Sequence, residues 1–108
     1  MNELVQRLSQ ENHVVEASLR PEKTVAALKE SIERGYVHIK FPNTRGGTEL
    51  GVRLDREASN LNLADFEHQA GKVHLVGYLT LNYVKVRAVA DIDLETLEGY
   101  GHLEPLEE

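Results

Sequence analysis

The stretch KVHLVGYLTLNYVKVRAVADID, residues 72–93, alternates apolar and polar side chains on both sides of a central Asn82-Tyr83. An alternation with a period of two is typical of β-strands that bury one face. A two-residue turn at Asn82-Tyr83 folds the stretch into a long hairpin, although Tyr is a poor residue for such a turn. In this register, every pair on one face is apolar or glycine: Val73–Ile92, Leu75–Ala90, Gly77–Ala88, Leu79–Val86 and Leu81–Val84. The sequence therefore predicts that this face lies on the core.

The opposite face of the predicted hairpin has two possible roles. It carries the pairs Lys72–Asp93, His74–Asp91, Val76–Val89, Tyr78–Arg87 and Thr80–Lys85. Cross-strand pairs of this kind stabilise a hairpin by roughly 0.2–1 kcal/mol each, so a solvated face held by these pairs is one interpretation. The other is a protein-binding surface, because Val76, Tyr78 and Val89 form an apolar island inside a charged rim.

A helix over residues 21–34 is the clearest helical pattern in the chain. Pro21 suits the first position of a helix, and Gly35 is a typical left-handed cap after the last. Val25, Leu28 and Ile32 lie on one face at helical spacing. We expect this face to pack on a sheet.

A second hairpin is predicted after this helix. YVHIKF (36–41) and TELGVRLD (48–55) both alternate, and PNTRGG between them has the composition of a turn. Apolar residues meet on one side if Phe41 faces Leu50, with the pairs Ile39–Val52 and Val37–Leu54 following. TRGGTELG lacks the strand–loop–helix context of a phosphate loop, so we interpret it as part of the turn. Arg45 at the tip could contact an acidic partner.

The remaining segments carry weaker patterns. Residues 1–12 predict a short, weak helix, and residues 13–19 predict a strand. Residues 55–71 predict either a short helix from Asn62 to Gly71 or a surface loop. YGHL (100–103) predicts an edge strand that ends before Pro105, and residues 105–108 predict a loose tail.

These elements predict a single α+β domain over residues 1–108. One amphipathic helix would pack on a mostly antiparallel sheet of about five strands. The order of elements also permits a ferredoxin-like arrangement with an added strand, which we place second.

Composition narrows the class of function. The chain has 108 residues, no Cys and a net charge of −6. Because the sequence has no Cys, disulfides, thiol nucleophiles and thiolate metal sites are excluded. The negative charge disfavours binding to nucleic acid and to anionic membranes. The N-terminus lacks the apolar run of a signal peptide, so a cytoplasmic location is expected.

Catalytic patterns are sparse. None of the five His residues lies two or four positions from another, the spacings that commonly build metal pairs. His74 opposite Asp91 could orient an imidazole as a general base, with His38 as a further candidate ligand-binding residue. We expect no metal and no cofactor.

The sequence therefore favours a non-catalytic interaction or accessory protein that acts through a sheet face or edge. Its partner would be another protein or a second copy of the chain in a homodimer. The candidate partner-binding residues are Val76, Tyr78, Arg87, Val89 and Arg45. The alternative is a small-ligand-binding or metal-assisted enzyme domain that uses His38, His74 and Asp91 between helix and sheet.

Overall fold

The computed structural model describes residues 3–19, 22–44, 47–81 and 83–106. Within them the chain forms two helices, α1 (Glu3–Gln10) and α2 (Val25–Arg34). The strands, in chain order, are β1 (His13–Ser18), β2 (Tyr36–Phe41), β3 (Thr48–Leu54), β4 (Ala64–Asp65), β5 (Ala70–Leu81), β6 (Val84–Asp93) and β7 (Glu98–Pro105). All strands except β4 close into an antiparallel barrel in the order β1-β2-β3-β5-β6-β7, and β7 pairs with β1. The short β4 extends the sheet beyond β5.

The barrel overturns the predicted architecture. An open sheet of about five strands under one helix is wrong, and so is the ferredoxin-like second choice, because the described strands close on themselves. Two pairings close the barrel: β1 with β7, as in Val15 opposite Gly99, and β3 with β5, as in Arg53 opposite Tyr78. Such pairings join distant segments, and alternation within a strand does not specify which distant strand it meets.

The hairpin of residues 72–93 is confirmed in every pair. β5 and β6 align from Lys72 opposite Asp93 to Leu81 opposite Val84, as predicted. Tyr83 in the turn has φ 71°. The apolar alternation fixed this register because a slip by one residue would turn the buried side chains outward.

The hairpin of β2 and β3 is confirmed as a hairpin, but its predicted register is wrong by two residues. Ile39 lies opposite Leu50, and Phe41 lies opposite Thr48. The connection is therefore shorter than predicted, and Thr44 stabilises it by donating its hydroxyl to the Phe41 carbonyl at 2.9 Å. A shift of two residues keeps every side chain on its own face, so alternation alone could not detect it.

The helix over residues 21–34 forms but begins later than predicted. α2 starts at Val25, and Thr24 caps it by accepting a hydrogen bond from the Ala27 amide at 3.1 Å. Gly35 ends it with φ 83°, as expected. The proposed role of Pro21 lies outside the described residues.

Two further predictions are corrected. Residues 55–71 form turns, an isolated bridge and β4, rather than a helix from Asn62 to Gly71. β7 is a central strand between β1 and β6, rather than an edge strand. It can lie close to β6 because its inward positions include Gly99 and Gly101, where an added Cβ would meet backbone carbonyl oxygens of β6.

One core joins the barrel interior to both helices. Val5 and Leu8 of α1 belong to the same buried cluster as Leu28 of α2 and the inward residues of the strands. α1 packs against β7 and α2 against β2. In the part of the chain that the structure describes, no helix is long and apolar enough to cross a membrane.

Candidate functional site

The outer edge of β5 is covered along most of its length by the chain that follows β3. β4 pairs with its beginning, and Asn60 exchanges two backbone hydrogen bonds with His74. Ser59 then bonds the backbone of Val76 with its hydroxyl, and β3 pairs with Gly77 and Tyr78. Within the described residues, no strand covers this edge at residues 79–81.

In the part of the chain that the structure describes, no strand covers β3 at the matching place either. β2 pairs with the whole of residues 48–53, whereas β5 pairs only with Arg53 and Leu54. Because the two strands separate beyond this contact, a groove of about 560 Å³ opens between them; we call it the seam groove. Its lining residues are Tyr36, Glu49, Leu50, Gly51, Arg53, Tyr78, Leu79, Thr80, Leu81, Lys85 and Leu106.

The seam groove exposes apolar surface that a closed barrel would bury. Leu79 and Leu81 pack against the core but are only half-buried. Tyr36, Tyr78 and Leu106 are exposed at 47%, 39% and 45%. A groove with aromatic and leucine side chains is suited to receiving an apolar side chain of another protein.

The seam groove also carries positive charge on an acidic protein. Arg53 and Lys85 are exposed, and neither makes an ion pair within the described residues. The one carboxylate in the lining, Glu49, accepts a hydrogen bond from the Ser18 hydroxyl at 2.7 Å. The two cations therefore face solvent without an internal partner.

Tyr78 is anchored by a hydrogen bond of its hydroxyl. Its hydroxyl donates to the Asp55 carboxylate at 3.0 Å, and the Ala58 amide and this hydroxyl lower the pKa of Asp55. Arg87 lies opposite Tyr78 and donates to Glu104 at 2.9 Å, which raises the pKa of Arg87. The bond to Asp55 limits the freedom of the Tyr78 ring, so less entropy is lost when a partner packs on it.

The predicted partner-binding residues lie in different surroundings. Tyr78 lines the seam groove, whereas Val76 is only 5% exposed, and its backbone is bonded by the Ser59 hydroxyl. Val89 is half-buried, and Arg87 is paired with Glu104. Arg45 lies outside the described residues. The binding role of all five stays a prediction, and Val76 offers little surface for it.

The predicted His site forms only in part. His74 Nδ1 and Asp91 Oδ1 lie 2.8 Å apart, but on the face of the hairpin turned away from the core and the helices. This pair therefore does not lie between helix and sheet, and its ligand-binding role stays a prediction. His38 lies on β2 against the Tyr36 ring, and β3 separates β2 from β5.

The His candidates differ in their surroundings: His74 and Asp91 line a small cleft, whereas His38 contacts Tyr36, which lines the seam groove. The cleft beside His74 and Asp91 holds about 160 Å³, below the roughly 300–1,000 Å³ of typical ligand pockets. Among the described residues, no group of three His, Cys, Asp or Glu side chains could hold a metal ion.

Sequence reasoning missed most of the seam groove. Tyr36, Gly51, Arg53 and Leu106 come from three separate segments, and no motif links them. The groove exists because two strands that pair at one end diverge at the other. The exposed Tyr36 at the start of an alternating strand was the one local signal.

An open strand edge beside exposed aromatic side chains is typical of a protein-binding domain. The similarity of the chain to known proteins agrees with this interpretation. The family model of the core binding factor beta subunit matches residues 1–108, and the chain belongs to this family. It is 31% identical over 109 residues to Protein big brother of Drosophila melanogaster, covering 95% of this chain and 50% of that protein. The chain thus spans half the length of this curated relative.

The family is named for a subunit, which agrees at a general level with the predicted accessory role.

Proposed function

We propose that this chain is the non-catalytic partner subunit of a transcription factor and binds a Runt-domain protein through the seam groove. Members of its family bind Runt-domain proteins, which supports the choice of partner. The observation that carries the choice of surface is the uncovered edge of β5 at residues 79–81, opposite the uncovered part of β3. Elsewhere along β5 the chain covers its own edge.

The composition of the seam groove supports protein binding. Tyr, Arg and Leu side chains surround it, and Tyr and Arg are common among residues that contribute most to interface affinity. Its exposed apolar residues lie between charged ones, which resembles the apolar centre and polar rim of protein interfaces.

The charge of the chain supports different roles for this chain and its partner in contacting nucleic acid. At a net charge of −6, the chain repels phosphates at long range. We propose that the partner makes the contacts with nucleic acid and that this chain contacts the partner. The predictions of no direct nucleic-acid binding, of a cytoplasmic location and of a possible homodimer stay predictions.

Calorimetric titration of the purified chain with a purified Runt domain tests the proposal. Lys85→Glu reverses a charge at the groove and should weaken binding by about tenfold or more, or at least about 1.4 kcal/mol. Lys72→Glu is the matched control, because it makes the same change at the other end of the hairpin, outside the groove.

Three outcomes would contradict the proposal. The wild-type chain fails to bind the Runt domain, both variants weaken binding equally, or only Lys72→Glu does so. Sedimentation of the chain alone checks for self-association. A dimer that Lys85→Glu dissociates would identify the groove as a contact between copies instead.

A further inference from the structure

We infer that the partner enters the seam groove as an extended segment that adds to the free edge of β3 and presents a carboxylate to Arg53 and Lys85. This inference rests on the proposed function. It specifies the form and charge of the part of the partner that binds.

The free edge of β3 offers backbone hydrogen-bonding groups. In an antiparallel pair, successive residues turn their N–H and C=O groups alternately toward and away from the neighbouring strand. The Leu54 amide donates to the Gly35 carbonyl at 2.9 Å, on the β2 side. Every second residue before Leu54 has the same orientation, so the backbone N–H and C=O groups of Leu50 and Val52 also point toward β2. The backbone groups of Glu49 and Gly51 point toward the groove instead.

On the other wall of the groove, Thr80 of β5 has backbone groups that no described strand bonds. Leu81 opposite Val84 closes the hairpin, so alternation turns the groups of Tyr78 and Thr80 away from β6. Tyr78 pairs with Arg53, whereas Thr80 lies beyond the last pair of β3 and β5 and lines the groove.

These open groups determine the form of the occupant. A helix satisfies its own backbone and would leave the groups of Glu49 and Gly51 covered without partners, which is unfavourable. An extended segment pairs with them directly, as strands added to open edges do.

Side chains of the added strand would alternate between two environments. Those that point inward meet Leu79 and Leu81, which are half-buried at the open end of the core. Those that point outward meet Arg53 and Lys85, which have no ion-pair partner within the described residues. The segment therefore combines apolar residues with at least one Asp or Glu.

Amide hydrogen exchange followed by NMR, on the free chain and on its complex with a purified Runt domain, tests the inference. The amides of Glu49 and Gly51 should exchange fast in the free chain. In the complex they should exchange at least about tenfold more slowly. The amides of Leu50 and Val52 are internal controls, because they already bond β2 in the free chain.

A pair of variants at one position separates backbone from side chain. Glu49→Pro removes an N–H that β2 does not use, whereas Glu49→Ala keeps it and removes the same carboxylate. Glu49→Pro should weaken binding by about tenfold, and Glu49→Ala should leave it unchanged or stronger. Thermal melting of both variants checks that each is folded. The hydrogen-exchange experiment uses the wild-type chain, so its result does not depend on the folding of either variant.

The outcomes distinguish the two proposals. If the complex forms but the amides of Glu49 and Gly51 exchange as in the free chain, strand addition is overturned and the proposed function stands. If no complex forms, both are overturned. Binding that does not weaken as salt is raised would overturn the acidic character of the segment.

Discussion

Gly99 provides a direct test of the barrel, because it lies where β7 passes closest to β6. A Cβ added at this position would lie 1.7 Å from the carbonyl oxygen of Asp91 and 2.8 Å from its carbonyl carbon. Real Cβ contacts stay above about 3.0 Å, so the strands would have to separate by more than 1 Å. Both atoms belong to the backbone, so no side-chain rotation can relieve the contact.

We expect Gly99→Ala to lower the free energy of unfolding by about 2–4 kcal/mol. Overpacking of a tight site costs about 1–3 kcal/mol, and a weakened ladder hydrogen bond costs about 1 kcal/mol more. Because 1 kcal/mol shifts the midpoint of a domain this size by about 4–8 °C, the melting temperature should fall by about 8–30 °C.

Urea unfolding followed by circular dichroism measures the change, with Tyr100→Val as the control on the exposed face of the same strand. Tyr100 is 61% exposed, so Tyr100→Val should change stability by less than about 1 kcal/mol. On an edge strand with free space, Gly→Ala would instead be neutral or stabilising by about 0.5–1 kcal/mol. Such a result would refute the close approach of β7 to β6.

Three further predictions concern the turn, the N-terminal helix and acid stability. Tyr83 is fully exposed at φ 71°, so Tyr83→Gly should raise the free energy of unfolding by about 0.5–1 kcal/mol in urea titrations. Leu8 is 0% exposed in the core, so Leu8→Ala should lower it by about 2–5 kcal/mol in the same assay. Hydrogen bonds from His102 and then Arg87 lower the pKa of Glu104 from its ordinary value of 4.5. The resulting stability is present above pH 4.5 and should be lost as the pH falls through the lowered pKa, which urea midpoints across pH measure.

Matched variants separate the causes. Tyr83→Ala removes the same ring but keeps a Cβ at positive φ, and equal gains for Ala and Gly would exclude backbone strain as the reason. Ser9 is the next residue of α1, and a loss for Ser9→Ala as large as that for Leu8→Ala would indicate that burial is not the cause. Glu104→Gln should flatten the loss of stability in acid, and an unchanged pH profile would exclude Glu104 as its source.

Local patterns predicted those parts of the fold in which neighbours along the chain meet. The register of residues 72–93 was predictable because each of five inward pairs is apolar or glycine. The end of α2 was predictable because Gly35 readily adopts the left-handed conformation. The register of β2 and β3 was not predictable to better than two residues, because such a shift preserves which side chains are buried.

The candidate site was predictable only at Tyr78. The outward face of the hairpin indicated Tyr78 and Arg87, but Val76 on the same face is only 5% exposed, which the sequence did not reveal. The rest of the seam groove depends on how β3 leaves β5 after two paired residues. That divergence involves strands from different hairpins, and the polar-apolar pattern of one strand does not encode it.

The sequence by itself determined the two hairpins and the first strand, their inward faces, both helices in outline and the acidic character of the chain. Each follows from periodicity or composition, which depend on residues close together along the chain. Only the tertiary structure decided that β7 lies between β1 and β6 and that the sheet closes through β3 and β5. Both features depend on packing between distant segments. Gly99 and Gly101 matter most, because without a Cβ they let β7 lie next to the backbone of β6. The same closure is incomplete at one place, and that place is the seam groove.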